Sequence, residues 1–171
     1  MIANADLFRT LGDPDRMAHL AEYDLFHPEL RTRMDAIASR TGTLLGAPVS
    51  LISVILDSSQ FILGSHGLTG WMAEVQGVPA EWSLCATTML AGRPYCVADA
   101  AIDPAAATNP LRLQTNLRSY AGVPLADGSG HTLGAHCILD AVPRAFSDHD
   151  IAVLTDGAQA AAHALTDFRT P

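Results

Sequence analysis

Two apolar runs that read as β-hairpins lie between capped helical stripes, and the change of period falls at glycine and proline. Over residues 28–45 the apolar positions Met34, Ile37, Ala38, Leu44 and Leu45 recur at helical spacing, and Gly46 with Pro48 ends the stripe. Residues 49–56 are then dense in Val, Ile and Leu, Asp57-Ser58-Ser59 makes a turn, and 60–67 runs back as the second arm of a hairpin. A second hairpin follows in 119–125 and 131–140, joined by Asp127-Gly128-Ser129-Gly130, residues that tolerate the left-handed backbone of a tight turn.

Cap residues place the remaining elements. Asp13-Pro14 and Asn109-Pro110 each pair an N-cap side chain with a proline at the first helical position, where its missing N–H costs nothing. Ser83 caps a helix over 84–91 that Gly92 and Pro94 terminate, and 95–98 reads as a short strand. Ser147 and Asp150 form a capping box ahead of a long helix whose inner face carries Ile151, Leu154, Ala158, Ala161, Ala162, Leu165 and Phe168. Residues 68–81 read as a loop and 1–12 as an N-terminal extension, with one domain over 13–171. An α+β fold follows: a central antiparallel β-sheet of about five to six strands flanked by helices, because each helical stripe must be buried against a sheet face.

Composition narrows the partners. At 171 residues with 49% hydrophobic and 16% charged content, the chain can bury a substantial core. Its net charge of -8 argues against nucleic acid, and all ten basic residues are scattered arginines, a coding bias of the kind found in GC-rich bacteria. No apolar run is long enough to span a membrane, and the first residues do not resemble a signal peptide. Cys85, Cys96 and Cys137 make no disulfide framework, so a cytoplasmic location is expected.

The segments resemble the bacterial GAF family, whose fold is GAF/PAS-like. The resemblance rests on Gly46-Ala47-Pro48-Val49 leading into the first strand, Trp82-Ser83-Leu84-Cys85 at a helix entry, and Val97-Ala98-Asp99-Ala100 with Asp103-Pro104. Tyr120-Ala121-Gly122-Val123-Pro124-Leu125 and Leu133-Gly134-Ala135-His136-Cys137-Ile138-Leu139-Asp140 are its most specific parts, and it runs from about Asp13 to Thr166. It implies a sensory or regulatory domain of signal transduction that binds a small molecule between the sheet and two short helices. Carried onto this chain, the walls of that cavity would come from Ser53 and Ile55 on the first strand and Phe61 on the second. Trp82, Cys85 and Thr88 would contribute from the first short helix and Leu111 from the second, with Tyr120, Gly122, His136 and Ile138 from the last hairpin. It also implies a homodimer through a helical bundle and an output partner, such as a histidine kinase or regulator, carried by a separate chain.

The reactive side chains admit other readings. Cys85 begins a helix, where N–H groups and the helix dipole favour a thiolate, so a redox or haem-linked sensor using Cys85 or a histidine is one alternative. Burial as small hydrophobes is the reading for all three cysteines. A ligand-free dimerisation or protein-interaction module is the other alternative. Free-methionine sulfoxide reductases within the family carry a catalytic cysteine in a Gly-His-Ile-Ala-Cys loop. This chain has Asp103-Pro104-Ala105-Ala106-Ala107-Thr108 there, so it is expected not to be an enzyme. Asp99, Asp103 and Asp140 read as turn caps, and no paired carboxylates on one element suggest acid–base work. His131 and His136 are five positions apart and so point to opposite faces of a strand, which leaves no expected metal site. A Lys-containing motif of cyclic-nucleotide binders has no counterpart, since the chain lacks lysine. The residues name no cofactor.

Overall fold

The computed structural model describes residues 4–171. Three helices open the chain: α1 (Asn4–Leu11), α2 (Pro14–Leu20) and α3 (Pro28–Leu45). Strands β1 (Val49–Ile55) and β2 (Ser59–His66) form the first hairpin, followed by α4 (Trp71–Val75), β3 (Gly77–Pro79), a 3₁₀ turn at Ala80–Trp82 and α5 (Leu84–Ala91). After β4 (Tyr95–Val97) and α6 (Pro110–Gln114), the second hairpin pairs β5 (Ser119–Ala126) with β6 (Thr132–Asp140), and α7 (Asp148–Thr166) closes the fold. The strands make one six-stranded sheet in the order β3-β2-β1-β6-β5-β4, every neighbour antiparallel.

The caps read from sequence are formed. The side chains of Asp13, Ser83 and Asn109 each accept a backbone N–H in the first turn, Gly46 and Gly92 close α3 and α5 in the left-handed conformation, and Ser147 with Asp150 completes a reciprocal capping box. Helices α3 and α7 cover one face of the sheet over Ile52, Val54, Leu63, Val123, Leu133 and Ile138. Helix α5 covers the other face over Leu51, Ile55, Ile62, Tyr120 and Cys137. Gly64 lets α3 approach β2 closely, since any side chain there would collide with the Met34 backbone.

Two segments carry more structure than the sequence reading assigned. The stretch read as an extension contains α1, which buries Leu7 and Leu11 in the core under the α5 face. The stretch read as a loop contains α4 and the edge strand β3, between which Gln76 adopts a left-handed backbone at φ 58°. Among the described residues no helix is long and apolar enough to cross a membrane.

Candidate functional site

On the α5 face, polar side chains gather where an aliphatic layer would otherwise run. Ser53 on β1, Gln60 on β2, Tyr120 on β5 and Cys137 on β6 meet Ser83, Cys85 and Thr88 at the start of α5, and all seven are at most 5% exposed. Cys85 and Thr88 are three residues apart on the helix and therefore share its inner face.

Hydrogen bonding explains how these groups tolerate burial. Ser83 Oγ accepts the Ala86 N–H at 2.9 Å and donates to Gln60 Oε1 at 2.5 Å, while Gln60 Nε2 donates to Ser53 Oγ at 2.8 Å. Thr88 Oγ1 donates to the Leu84 carbonyl at 2.9 Å, so its contact with Tyr120 Oη at 2.7 Å has the tyrosine as donor. Cys85 Sγ then lies 3.6 Å from Tyr120 Oη and 3.6 Å from Cys137 Sγ. Burial pushes the Cys137 thiol and the Tyr120 hydroxyl well up, so both stay protonated. The Cys137 thiol donates to Cys85, which holds Cys85 below the ordinary thiol value despite its burial. Of the two thiols, Cys85 is therefore the easier to ionise.

Eight of the residues carried over from the family lie on this face: Ser53, Ile55, Trp82, Cys85, Thr88, Leu111, Tyr120 and Gly122. Tyr120 lies across Gly122, and its hydroxyl meets Thr88 and Cys85. Three residues belong elsewhere. Phe61 packs with the α3 side and tilts against Phe26, Ile138 packs among Ala121, Val123 and Leu154 under α7, and His136 reaches Thr41 on α3. The strand period of two is the reason: His136 and Ile138 flank Cys137 and must face away from it. Gln60 and Ser83 were missed as members of the network. The signal available was the polar residue inside an otherwise apolar strand, as at Ser53.

The other reactive groups are structural or exposed. His136 Nδ1 donates to the Leu51 carbonyl at 2.9 Å, so Nε2 accepts from Thr41 Oγ1 at 2.8 Å, and burial brings its pKa down to about 4. Asp99 receives a two-pronged hydrogen bond from Arg118 at 2.8 Å on each oxygen and caps Ala101, and Arg118 holds its pKa at about 2. Cys96, read as buried, is exposed. His131 does not meet His136; it stacks on His19 beside Asp127.

A sequence profile described as the GAF domain matches residues 29–165, most of the chain. The protein belongs to the GAF family. GAF domains are a family of signalling and sensor domains. A cyclic di-GMP phosphodiesterase of Pseudomonas aeruginosa is 30% identical over 141 residues, which cover 81% of this chain. The chain spans only 23% of that protein's length. Among solved structures, the type II free methionine-R-sulfoxide reductase of Thermoplasma acidophilum superposes with a TM-score of 0.67 at 17% identity, covering 83% of this GAF domain and 96% of that chain. The GAF domain of a phosphoenolpyruvate-protein phosphotransferase from Coxiella burnetii gives 0.66 at 18% identity and 95% coverage of each.

These matches correct the expectation that the chain is not an enzyme. The relative is named as a phosphodiesterase and the Thermoplasma protein with this fold as a reductase, so the fold does not class a chain as non-catalytic.

Proposed function

We propose that this GAF domain is a regulatory sensor that takes a small organic molecule beneath α5 and passes its occupancy to a signalling output. The observation that carries this reading is the buried polar set Ser53, Gln60, Ser83, Cys85, Thr88, Tyr120 and Cys137. Burying polar groups is costly unless they are bonded, and a few placed donors and acceptors inside an apolar wall suit recognition of a small ligand. The cover over this face is made of short elements, α1, α4, the 3₁₀ turn, α5 and α6, whereas the opposite face is closed by two long helices. A ligand would enter by displacing the Tyr120 ring from Gly122. Membership in a family of sensors supports the same reading, and a histidine kinase or other regulator is the partner class it implies.

The test is a thermal-shift screen of nucleotides, including cyclic di-GMP, amino acids and aromatic acids, with native mass spectrometry of the purified protein. A compound that binds only the folded state raises the melting temperature by mass action. The reading expects at least one such compound, with its effect reduced in Tyr120→Ala and Trp82→Ala relative to each variant's own melt. No stabilising compound and no added mass would overturn it.

A second reading is favoured by the Cys85–Cys137 separation of 3.6 Å. Hydrogen peroxide would oxidise the pair to a disulfide, the two thiols giving up two electrons and two protons while the peroxide leaves as two waters. Loss of both thiols after brief peroxide treatment, reversed by a dithiol reductant, would put this reading first.

A further inference from the structure

Away from α5, residues from α2 and from the β5–β6 turn converge on a point that the sensor reading does not use. His19, near the end of α2, pairs directly through Nε2 with Asp127 Oδ2, although 108 positions separate them. The His131 ring stacks on His19 with centroids 3.9 Å apart, and one ligand atom from each of the three residues lies within 4.8 Å of the others.

We propose that His19, Asp127 and His131 form a binding site for a divalent transition-metal ion of the zinc class. Two imidazoles with one carboxylate are the donor set that zinc accepts, whereas calcium and magnesium prefer all-oxygen shells. The surroundings resemble the outer shell of a metal centre, in which the far nitrogen of His131 and the spare carboxylate oxygen of Asp127 are hydrogen-bonded. Glu22 Oε1 lies 3.6 Å from His19 Nδ1. Ser129 Oγ lies 2.9 Å from His131 Nδ1, which leaves Nε2 of His131 as the binding nitrogen. Asp127 Oδ1 accepts from the Ser129 N–H and hydroxyl and from the His131 N–H, at 2.8–3.0 Å, while the Tyr23 hydroxyl donates to Oδ2 at 2.9 Å.

Burial would raise the Asp127 carboxyl, but the bonds from His19, Ser129, Tyr23 and the His131 amide outweigh it and keep the group ionised. Arg169 stands on the far side, paired with Glu22 and over the Tyr23 ring. With His131 at the exposed rim, the coordination sphere is completed by water, and the ion ties α2 to the β5–β6 turn.

The experiment is calorimetric titration of the EDTA-stripped full chain with zinc chloride, paralleled by cobalt(II) followed through its visible d–d absorption. The expected result is one ion per chain, a higher melting temperature at saturation, and no response to magnesium. His131→Ala removes an exposed side chain, so the variant should fold, as circular dichroism will show, yet lose both the stoichiometric binding and the cobalt spectrum. Ser129→Ala should weaken binding by roughly tenfold, and His149→Ala, at an exposed histidine elsewhere, should leave it unchanged. Stoichiometric binding that persists in His131→Ala, or the absence of saturable zinc binding by the unmodified chain, overturns the proposal.

Discussion

The hydroxyl of Tyr120 occupies the space that a side chain on Gly122 would need, two positions along the same strand. The ring is 1% exposed and its hydroxyl is held by Thr88 at 2.7 Å. A methyl group at Gly122 must therefore push the ring off Thr88 or distort β5. Gly122→Ala should destabilise the fold by about 1–3 kcal/mol, the usual cost of overpacking. Urea unfolding measures it. Under the sensor reading the same variant should also lose the ligand response, because the tyrosine can no longer alternate between its two places.

The three cysteines should separate by reactivity. Cys96 is exposed, while Cys85 and Cys137 are buried, so a thiol reagent should modify one cysteine at once and two only after denaturation. Cys85→Ala should cost on the order of 1 kcal/mol, a small cavity with the loss of weak sulfur contacts. Rapid modification of all three in the native state would show that α5 opens readily.

Much of the architecture was legible because it depends on local chemistry. Caps such as Asp13-Pro14, Ser83 and Ser147 with Asp150 satisfy backbone groups within a turn of themselves, and the Asp127–Gly130 turn fixes its own hairpin. What was not legible depends on distant partners. Helix α1 is short and is held by burial of Leu7 and Leu11, and β3 is an edge strand of three residues ending in a proline. Of the candidate site, the α5-facing residues were proposed from family motifs, whereas Phe61, His136 and Ile138, grouped with them, lie on the other face of the sheet. The His19–Asp127–His131 cluster joins residues more than a hundred positions apart, and no spacing rule reaches that far.

His136 makes stability depend on pH. Its folded pKa of about 4 lies below the ordinary value of 6.5, because burial disfavours the imidazolium. Between those two values the unfolded chain takes up a proton that the folded chain refuses, so this contribution is fully present above pH 6.5 and is lost as pH falls towards 4. The loss is on the order of a few kcal/mol. His136→Gln should flatten that limb of the stability–pH curve measured by urea unfolding, at the cost of lower stability at neutral pH. An unchanged slope would show that other groups carry it.

The outer surfaces of α3 and α7 bear on the oligomeric state. Both helices pack on one face of the sheet, and between them runs a groove of about 160 Å³ lined by Ile37, Arg40, Thr41, Leu44, Val153, Asp156, Gly157 and Ala160. Leu44 is 58% exposed, and Ala152 and Ala160 face outward, whereas Ala164 is buried. Small residues beside an exposed leucine allow a second pair of helices to approach closely, so a homodimer through a four-helix arrangement is expected. Such an interface must bury on the order of 1,000 Å² or more to be stable, and Leu44 and Ala160 would lie within it. Light scattering on the unmodified chain should therefore report a dimer, and Leu44→Glu or Ala160→Arg should give a folded monomer, since neither side chain supports the core. His136 sits beneath Gly157 at the floor of the same groove. A chain that scatters as a monomer at every accessible concentration would remove the dimer.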